Sequence, residues 1–490
     1  MLIAAPYRFV VSLALCAVAV RHAHLHGAEV TTSSPAKQTA RAEAVVRGDL
    51  IAKLGRAVWE FAEPAFQEHR SSKLLADTLE EAGFKVRRGV AEMPTAFVAE
   101  YGSGQPVVAL LAEYDALPGL AQAAEPVLQP IPRQQAGHGC GHNLFGAAIV
   151  GAGISVKEAM QRHTLGGTLR IYGCPAEEGG CGKAYLVRAG ELKDVDVALH
   201  WHPGSSNQAS MRSSLAIVRF RCRFTGVSAH AAGSPHLGRS ALDAVELMNS
   251  GVNYLREHVP STARIHYVIT DGGKRPNVVP QEAESWYYIR APKMSEAQAI
   301  FARVKKIAEG AALMTETKHE LRMITGSYEI LVNEPLARAM DANLRMVGPP
   351  QFSEQELKFA AAIRKEMNVS SRPEDNPAAM TIDKFGEDAT NGSTDVGDVS
   401  WIVPTVGLGV ATAAREIPGH SWGMTACAGS PLGARGSLVA AEVLAATTID
   451  CLEQPKLLDE ARDDFTHRTG DVKYEPVLSA GPPPERLDDF

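Results

Sequence analysis

Apolar and polar positions recur along this chain with two different periods, and the change of period divides it. Leu54, Val58 and Phe61, then Leu74, Leu75 and Leu79, follow helical spacing, and Gly83 supplies a stop, so two helices are expected to open the folded part. Three short apolar runs follow at 107–111, 169–174 and 195–199, and they run out into Asp115, Glu177 and His202. Runs of this length predict buried strands, with helical sequence between them at 144–159 and 183–190. Strand alternating with helix predicts an α/β fold: a doubly wound, mostly parallel sheet covered on both faces, with its sites beyond the C-terminal ends of the strands.

The pattern changes after Met211. Residues 216–224 alternate apolar and basic side chains, as a half-exposed strand does. Residues 240–258 set Leu242, Val245, Met248, Val252 and Leu255 on one helical stripe, with Ser240 and Asp243 placed to cap it. Strands at 265–270 and 284–289, a helix at 296–315 and a strand at 319–324 complete a β-α-β-β-α-β order, the ferredoxin-like split unit. A catalytic domain is therefore expected over 41–214 and 329–470, interrupted by an inserted α+β lid or dimerisation domain over 215–328. Beyond the insertion, 371–392 predicts a polar surface loop, 399–408 a last strand region, 437–448 an alanine-rich helix and 471–490 a loose tail.

Composition narrows the function classes. Against 49 Lys and Arg stand 56 Asp and Glu, a net charge of −7 over 490 residues with no basic run, which argues against nucleic acid or an anionic membrane as partner. A small-molecule substrate is the better expectation. At the N-terminus Arg8 precedes an apolar run over 9–20 that is short for a bilayer span and fits a secretory signal. Residues 1–28 are expected to be removed on export, leaving a periplasmic or secreted protein with no membrane segment. The seven cysteines are spread too thinly for a disulfide framework, and most are expected to pack as small apolar residues.

Candidate chemistry sits where strands are expected to end. In Gly137-His138-Gly139-Cys140-Gly141-His142-Asn143, glycines separate three possible ligands whose thiolate and imidazoles suit a divalent ion such as zinc, manganese or cobalt. Glu177-Glu178 places two adjacent carboxylates at a strand end, where they repel unless a cation lies between or beside them, so that one can bind metal and the other move a proton. His200 and His202 follow the next strand on one face, and His420 lies in a turn far downstream. Each histidine taken singly fits an ordinary polar surface position as well.

The segments LLAEYDALPGL (110–120), GHGCGHN (137–143), GCPAEEGG (173–180), FTGVSAHAAGSPHLGRSALDAV (224–245), RPNVVP (275–280) and STDVGDVSW (393–401) together resemble the co-catalytic metallo-amidohydrolases and peptidases. That family includes carboxypeptidase G, hippurate hydrolase, aminoacylase and the plant indole-acetyl-amino-acid hydrolases, and its p-aminobenzoyl-glutamate-cleaving branch is the nearest in motif and order. The resemblance implies two divalent ions held by Cys140, His142, Glu178, His202 and His420, with Glu177 as general base. His202 is preferred over His200 because it keeps the family's spacing from Asp196. Asp115 matches the aspartate that orients a metal-binding histidine, His230 the histidine that reaches across a dimer to the scissile carbonyl, and Asn277 and Arg290 the residues that hold the substrate carboxylate. Hydrolysis of the amide bond of an N-acyl amino acid is the implied reaction, with N-acyl-glutamate or N-acyl-aspartate substrates foremost and a dipeptidase or aminoacylase as alternative. A homodimer, or a pair with a related second subunit, is the implied assembly. Two other classes compete: a metal-free thiol hydrolase with Cys140 activated by His142, which leaves Glu178, His202 and His420 without a task, and a non-catalytic partner subunit, which fits poorly with a complete ligand set.

Overall fold

Strands Val107–Glu113, Gly167–Cys174 and Val197–Gly204 lie where apolar runs end in chemistry-bearing residues. With Thr405–Ala411 they form the parallel centre of a seven-stranded sheet, in the order 167–174, 107–113, 197–204, 405–411. The edges are antiparallel: Phe97–Ser103 and Lys85–Arg88 on one side, and Gln208–Ser210 on the other. The sheet is thus mixed, since the two N-terminal strands and the short 208–210 strand run antiparallel to the strands they pair with. The computed structural model describes residues 33–369, 376–386 and 392–487. The expected export segment, and residues 371–375 and 387–391 of the polar stretch 371–392, lie outside the described residues; 376–386 carries neither helix nor strand.

Helices cover the sheet. His142–His163 is buried along most of its length, and the alanine-rich Pro431–Glu453, long and apolar enough to cross a membrane by composition, is instead a core helix packed beside it. Three helices rather than two open the described residues, because Pro35–Val46 precedes Gly48–Phe61 and His69–Glu81. Its inward positions are Ala36, Ala40 and Ala44, a stripe of small residues that carries too little apolar signal to be seen in a hydropathy pattern. A second correction falls at 399–408: Val396–Ser400 is a short helix, and the strand begins only at Thr405, just after Pro404.

The insertion forms its own four-stranded antiparallel sheet, ordered 264–271, 282–291, 216–225, 318–327, with helices Ala241–Leu255 and Met294–Thr315 on one face and a separate apolar core that includes Phe220, Val245, Met248 and Tyr287. Ser240 caps the first of these helices by accepting from the Asp243 N–H. The C-terminal segment expected to be loose is tied down through Ser479. Gly326 N–H donates to Val477 O at 2.6 Å, Ser479 N–H donates to Ile324 O at 3.1 Å, and Tyr474 OH donates to Asp398 at 3.0 Å. The strand Lys318–Ser327 offers an open edge there, and the tail fills it.

Candidate metal centre and substrate cavity

Cys140 and His142 sit in the turn that starts the 142–163 helix. Gly141 between them has φ 78°, and a Cβ there would lie 2.8 Å from the Pro203 ring, so only glycine lets this turn close over the strand 197–204. His420, 280 residues downstream of Cys140 in the chain numbering, is brought in by a backbone bond from its N–H to Gly139 O at 3.1 Å. Ligand atoms of Cys140, His142 and His202 lie within 4.8 Å of one another, as do those of Cys140, Glu178 and His420. These two groups share Cys140, an arrangement that suits a pair of neighbouring cations; a third group, Glu113, His142 and Glu177, lies beside them and shares His142.

Tautomers follow from the partners. His202 Nδ1 faces Pro203 O at 2.7 Å, and since a carbonyl only accepts, Nδ1 carries the proton and Nε2 turns its lone pair to Cys140 Sγ, 3.4 Å away. Asp115, fully buried, accepts from His142 Nδ1 at 2.9 Å and from the Glu178 N–H at 2.8 Å, so one carboxylate orients two of the ligands. Burial works against the Asp115 charge, but His142 and these hydrogen bonds outweigh it and hold its pKa below the ordinary range. His200 also borders the cavity, yet only His202 joins the ligand groups. His138 points away: its Nε2 bonds Val58 O at 3.0 Å, and burial pushes its pKa down to about 3.

Burial and the neighbouring Glu177 carboxylate raise the Glu178 pKa to about 8, and burial with Glu113 raises that of Glu177. Burial, then the Glu178 charge, pushes the Cys140 thiol up; His142 is held well above its usual value because Cys140, Asp115 and Glu113 outweigh its burial. These shifts favour the protonated forms, and a bound cation would take the place of those protons. His142 Nε2 and Glu178 Oε1 are buried and make no well-aligned hydrogen bond among the described residues, although Glu113 Oε2 and His420 Nε2 lie 3.2 and 3.4 Å from them, and one thiol, three imidazoles and a carboxylate are a donor set suited to borderline divalent ions. The residues fit a metal pair.

Four buried groups at the site have no role that the sequence reading assigns. Glu113 Oε2 lies 3.2 Å from His142 Nε2, and its other oxygen lies 2.6 Å from Lys183 Nζ, which in turn lies 2.6 Å from Asp395. Lys183 and Asp395 are fully buried, and the two carboxylates outweigh burial to keep the ammonium pKa well above normal. Glu68, behind the Glu177 turn, accepts from the N–H groups of Phe66 and Ala176 at 2.9 Å each, with its pKa raised to about 8 by burial. Only Glu113 had a usable signal, since it precedes Asp115 by two residues in an extended segment and so shares its side of the chain.

Cys140, Glu178, His202 and His420 line part of a cavity of about 650 Å³. Its other walls carry Arg212, Arg219 and Arg290, the last donating to Ser393 Oγ at 2.8 Å. His230 and Asn277 do not reach it. They are exposed on two adjoining loops of the insertion, joined by an Ala231 N–H bond to Asn277 O at 3.1 Å. His230 Nδ1 accepts from the N–H groups of Ala232 and Gly233 at 3.2 and 3.0 Å, which leaves the proton on the outward Nε2.

A thiol, imidazoles and paired glutamates at the C-terminal rim of a parallel sheet, bordering a cavity that carries three arginines, make the site of a metallohydrolase. Comparison with known proteins specifies it further. The peptidase dimerisation domain of the M20 family matches residues 214–315. The chain is 42% identical over 443 residues to one of the two subunits of the p-aminobenzoyl-glutamate hydrolase of Escherichia coli, covering 85% of this chain and 92% of that one. It is 30% identical over 459 residues to the Xaa-Arg dipeptidase of Mus musculus, covering 89% and 95%. Among solved structures, a dinuclear metal-binding M20 peptidase from Bacillus subtilis superposes with TM-score 0.56 at 19% identity, over 84% of this chain and 99% of that one. An aminobenzoyl-glutamate utilization protein from Klebsiella pneumoniae gives 0.55 at 19%, over 83% and 97%. The chain belongs to the M20 family of metal-dependent peptidases and amidohydrolases, and it is a hydrolase.

Proposed function

We propose that this protein cleaves the amide bond of N-acyl amino acids, p-aminobenzoyl-glutamate or related N-acyl-glutamates and N-acyl-aspartates foremost, with a pair of divalent ions held by Cys140, His142, Glu178, His202 and His420. The convergence of these ligand atoms into two groups within 4.8 Å carries the reading. Zinc, manganese or cobalt suits the mixed thiolate, imidazole and carboxylate set. When bound, the ions supply Lewis acidity towards water and the scissile carbonyl.

The chain's own groups do the rest. Glu177, whose pKa is raised by burial and by Glu113, takes a proton from the attacking water and delivers it to the leaving nitrogen. Arg290 on the cavity wall pairs with the substrate carboxylate, which favours N-acyl amino acids over simple amides. His230, with its proton on Nε2, is a donor for the developing oxyanion. Because His230 and Asn277 lie outside their own cavity, the reading has them serve the site of a second protomer, either another copy of this chain or a related partner. The Escherichia coli relative is one member of a pair, and the matched dimerisation domain agrees with such an assembly. Removal of residues 1–28 on export completes the proposal.

Three arginines in the cavity oppose a cationic substrate side chain, so the specificity named by the Xaa-Arg dipeptidase relative is the less favoured alternative. A thiolate nucleophile at Cys140 is disfavoured by burial, which keeps the thiol protonated. The test is hydrolysis by the purified mature protein, loaded with each metal in turn, of p-aminobenzoyl-glutamate, other N-acyl amino acids and dipeptides. Activity that a chelator abolishes and metal restores is expected. Chelator-resistant activity, or none on any N-acyl amino acid, refutes the proposal.

A further inference from the structure

The cavity that the candidate metal ligands border also carries Arg212, Arg219 and Arg290, more positive charge than one carboxylate needs. Arg219 lies on strand Ala216–Thr225 of the inserted sheet, pairs in register with Tyr288, and shares a sheet face with Arg290 two residues further along the neighbouring strand. Its guanidinium stands 5.4 Å from the Tyr288 ring centroid and borders the cavity. Although its residue is only 7% exposed, it has no carboxylate partner among the described residues. NH1 donates to Cys181 Sγ at 2.9 Å and to Thr325 Oγ1 at 3.2 Å, and Nε has no hydrogen-bond partner among the described residues. Burial works against the Arg219 charge, but Cys181, Tyr288 and Glu177 outweigh it and hold the guanidinium charged, while its Nε–H is left without an acceptor, which is costly. Burial, and then the Arg219 charge itself, lowers the Arg290 pKa, so the two cations also oppose each other across the wall. An anion between them removes both costs.

We propose that Arg219 is a specificity-determining residue that pairs with the side-chain carboxylate of the substrate, while Arg290 takes the α-carboxylate, so that the enzyme selects N-acyl derivatives of dicarboxylic amino acids. The inference rests on the amidohydrolase function above and names the part of its substrate that Arg219 reads. A competing role exists, because Cys181 follows the Glu177-Glu178 turn by three residues and Arg219 ties that turn to the inserted sheet. Positioning of the turn would affect every substrate alike, whereas recognition of a carboxylate affects only substrates that carry it.

The matched pair N-(p-aminobenzoyl)-glutamate and N-(p-aminobenzoyl)-glutamine separates the two roles, since the side chains differ only in the terminal charge. The wild-type protein, metal-loaded and full-length, is expected to prefer the glutamate compound in kcat/KM by about 10- to 100-fold, the size of a charge-assisted hydrogen bond. Arg219→Gln should bring that ratio close to unity, mainly through KM for the glutamate compound, and change the glutamine compound by less than about threefold. Arg219→Lys should keep part of the preference. Equal losses on both compounds would overturn the inference in favour of positioning, as would a wild-type protein that cleaves both equally well, which leaves the amidohydrolase function standing. Failure to cleave either compound or any other N-acyl amino acid would remove the function and this inference with it. If Arg219→Gln does not fold, the Lys variant decides: an unchanged glutamate-to-glutamine ratio overturns the inference.

Discussion

Replacing Glu178 by Gln should stabilise the metal-free protein at alkaline pH and destabilise the metal-loaded one. The Glu178 pKa rises from its ordinary 4.5 to about 8 on folding, through burial and then the Glu177 charge. Below pH 4.5 the carboxyl is protonated folded and unfolded, and Glu and Gln are equivalent. As pH rises from 4.5 to 8 the unfolded chain releases the proton while the folded site keeps it, so the wild type loses stability throughout that window. At about 1.4 kcal/mol per pKa unit the loss has a ceiling of about 5 kcal/mol. Gln escapes it. Metal reverses the order, because Glu178 with Cys140 and His420 forms one ligand group, and an ion bound at 100 times its Kd adds about 2.7 kcal/mol to the wild type. Urea unfolding of chelator-treated and metal-loaded protein at pH 5 and 8 reads all four states. Metal-free Glu178→Gln less stable than wild type at pH 8, or gaining as much as wild type from metal, would refute the ligand assignment.

Glu177→Gln should keep its metals, measured by inductively coupled plasma spectrometry, and lose about 10²- to 10⁴-fold in turnover, the range for a general base; loss of metal instead would exchange its role with Glu178. His230→Ala should also keep its metals and lose turnover by about 10²-fold, worth one oxyanion donor, and mixing it with a Glu177→Gln variant should restore activity if the histidine serves a second protomer. No recovery on mixing would place His230 in its own protomer's reaction or outside it. Lys183→Met leaves Glu113 and Asp395 buried without their shared cation and should cost about 3–5 kcal/mol in chemical denaturation, with recovery in Lys183→Met/Glu113→Gln/Asp395→Asn; a single variant within about 1 kcal/mol of wild type counts against the ion triad.

The parts of this site legible in the sequence are those tied to local pattern. Apolar runs ending at Asp115, Glu177 and His202 mark strand ends, and a parallel sheet brings such ends to one rim, which is why Cys140, His142, Glu178 and His202 can meet. His420 enters through a motif and through a backbone bond to Gly139 that no spacing encodes. The Lys183–Asp395 pair is separated by 212 residues, and neither partner departs from its local helix or turn pattern, so only the folded chain reveals it. The alanine helix Pro35–Val46 fails for the opposite reason: its contacts are close, but its side chains are too small to register as a stripe.

Strand Ala216–Thr225 shows where a periodic pattern runs out of meaning. Its alternation of apolar and basic residues predicts one apolar face and one wet face. The apolar face is as expected, with Val218, Phe220, Cys222 and Phe224 in the core of the insertion. On the basic face Arg223 is exposed, Arg221 is half-buried and Arg219 is buried, so one row of arginines passes from solvent to the cavity within five residues. A period of two states which side chains share a face and is silent about what that face meets. A cation facing water is inexpensive to keep, while one buried at the cavity with no ion-paired carboxylate among the described residues and an Nε–H left unpartnered is retained at a cost. That cost makes Arg219, rather than Arg223, the residue expected to govern what the cavity accepts.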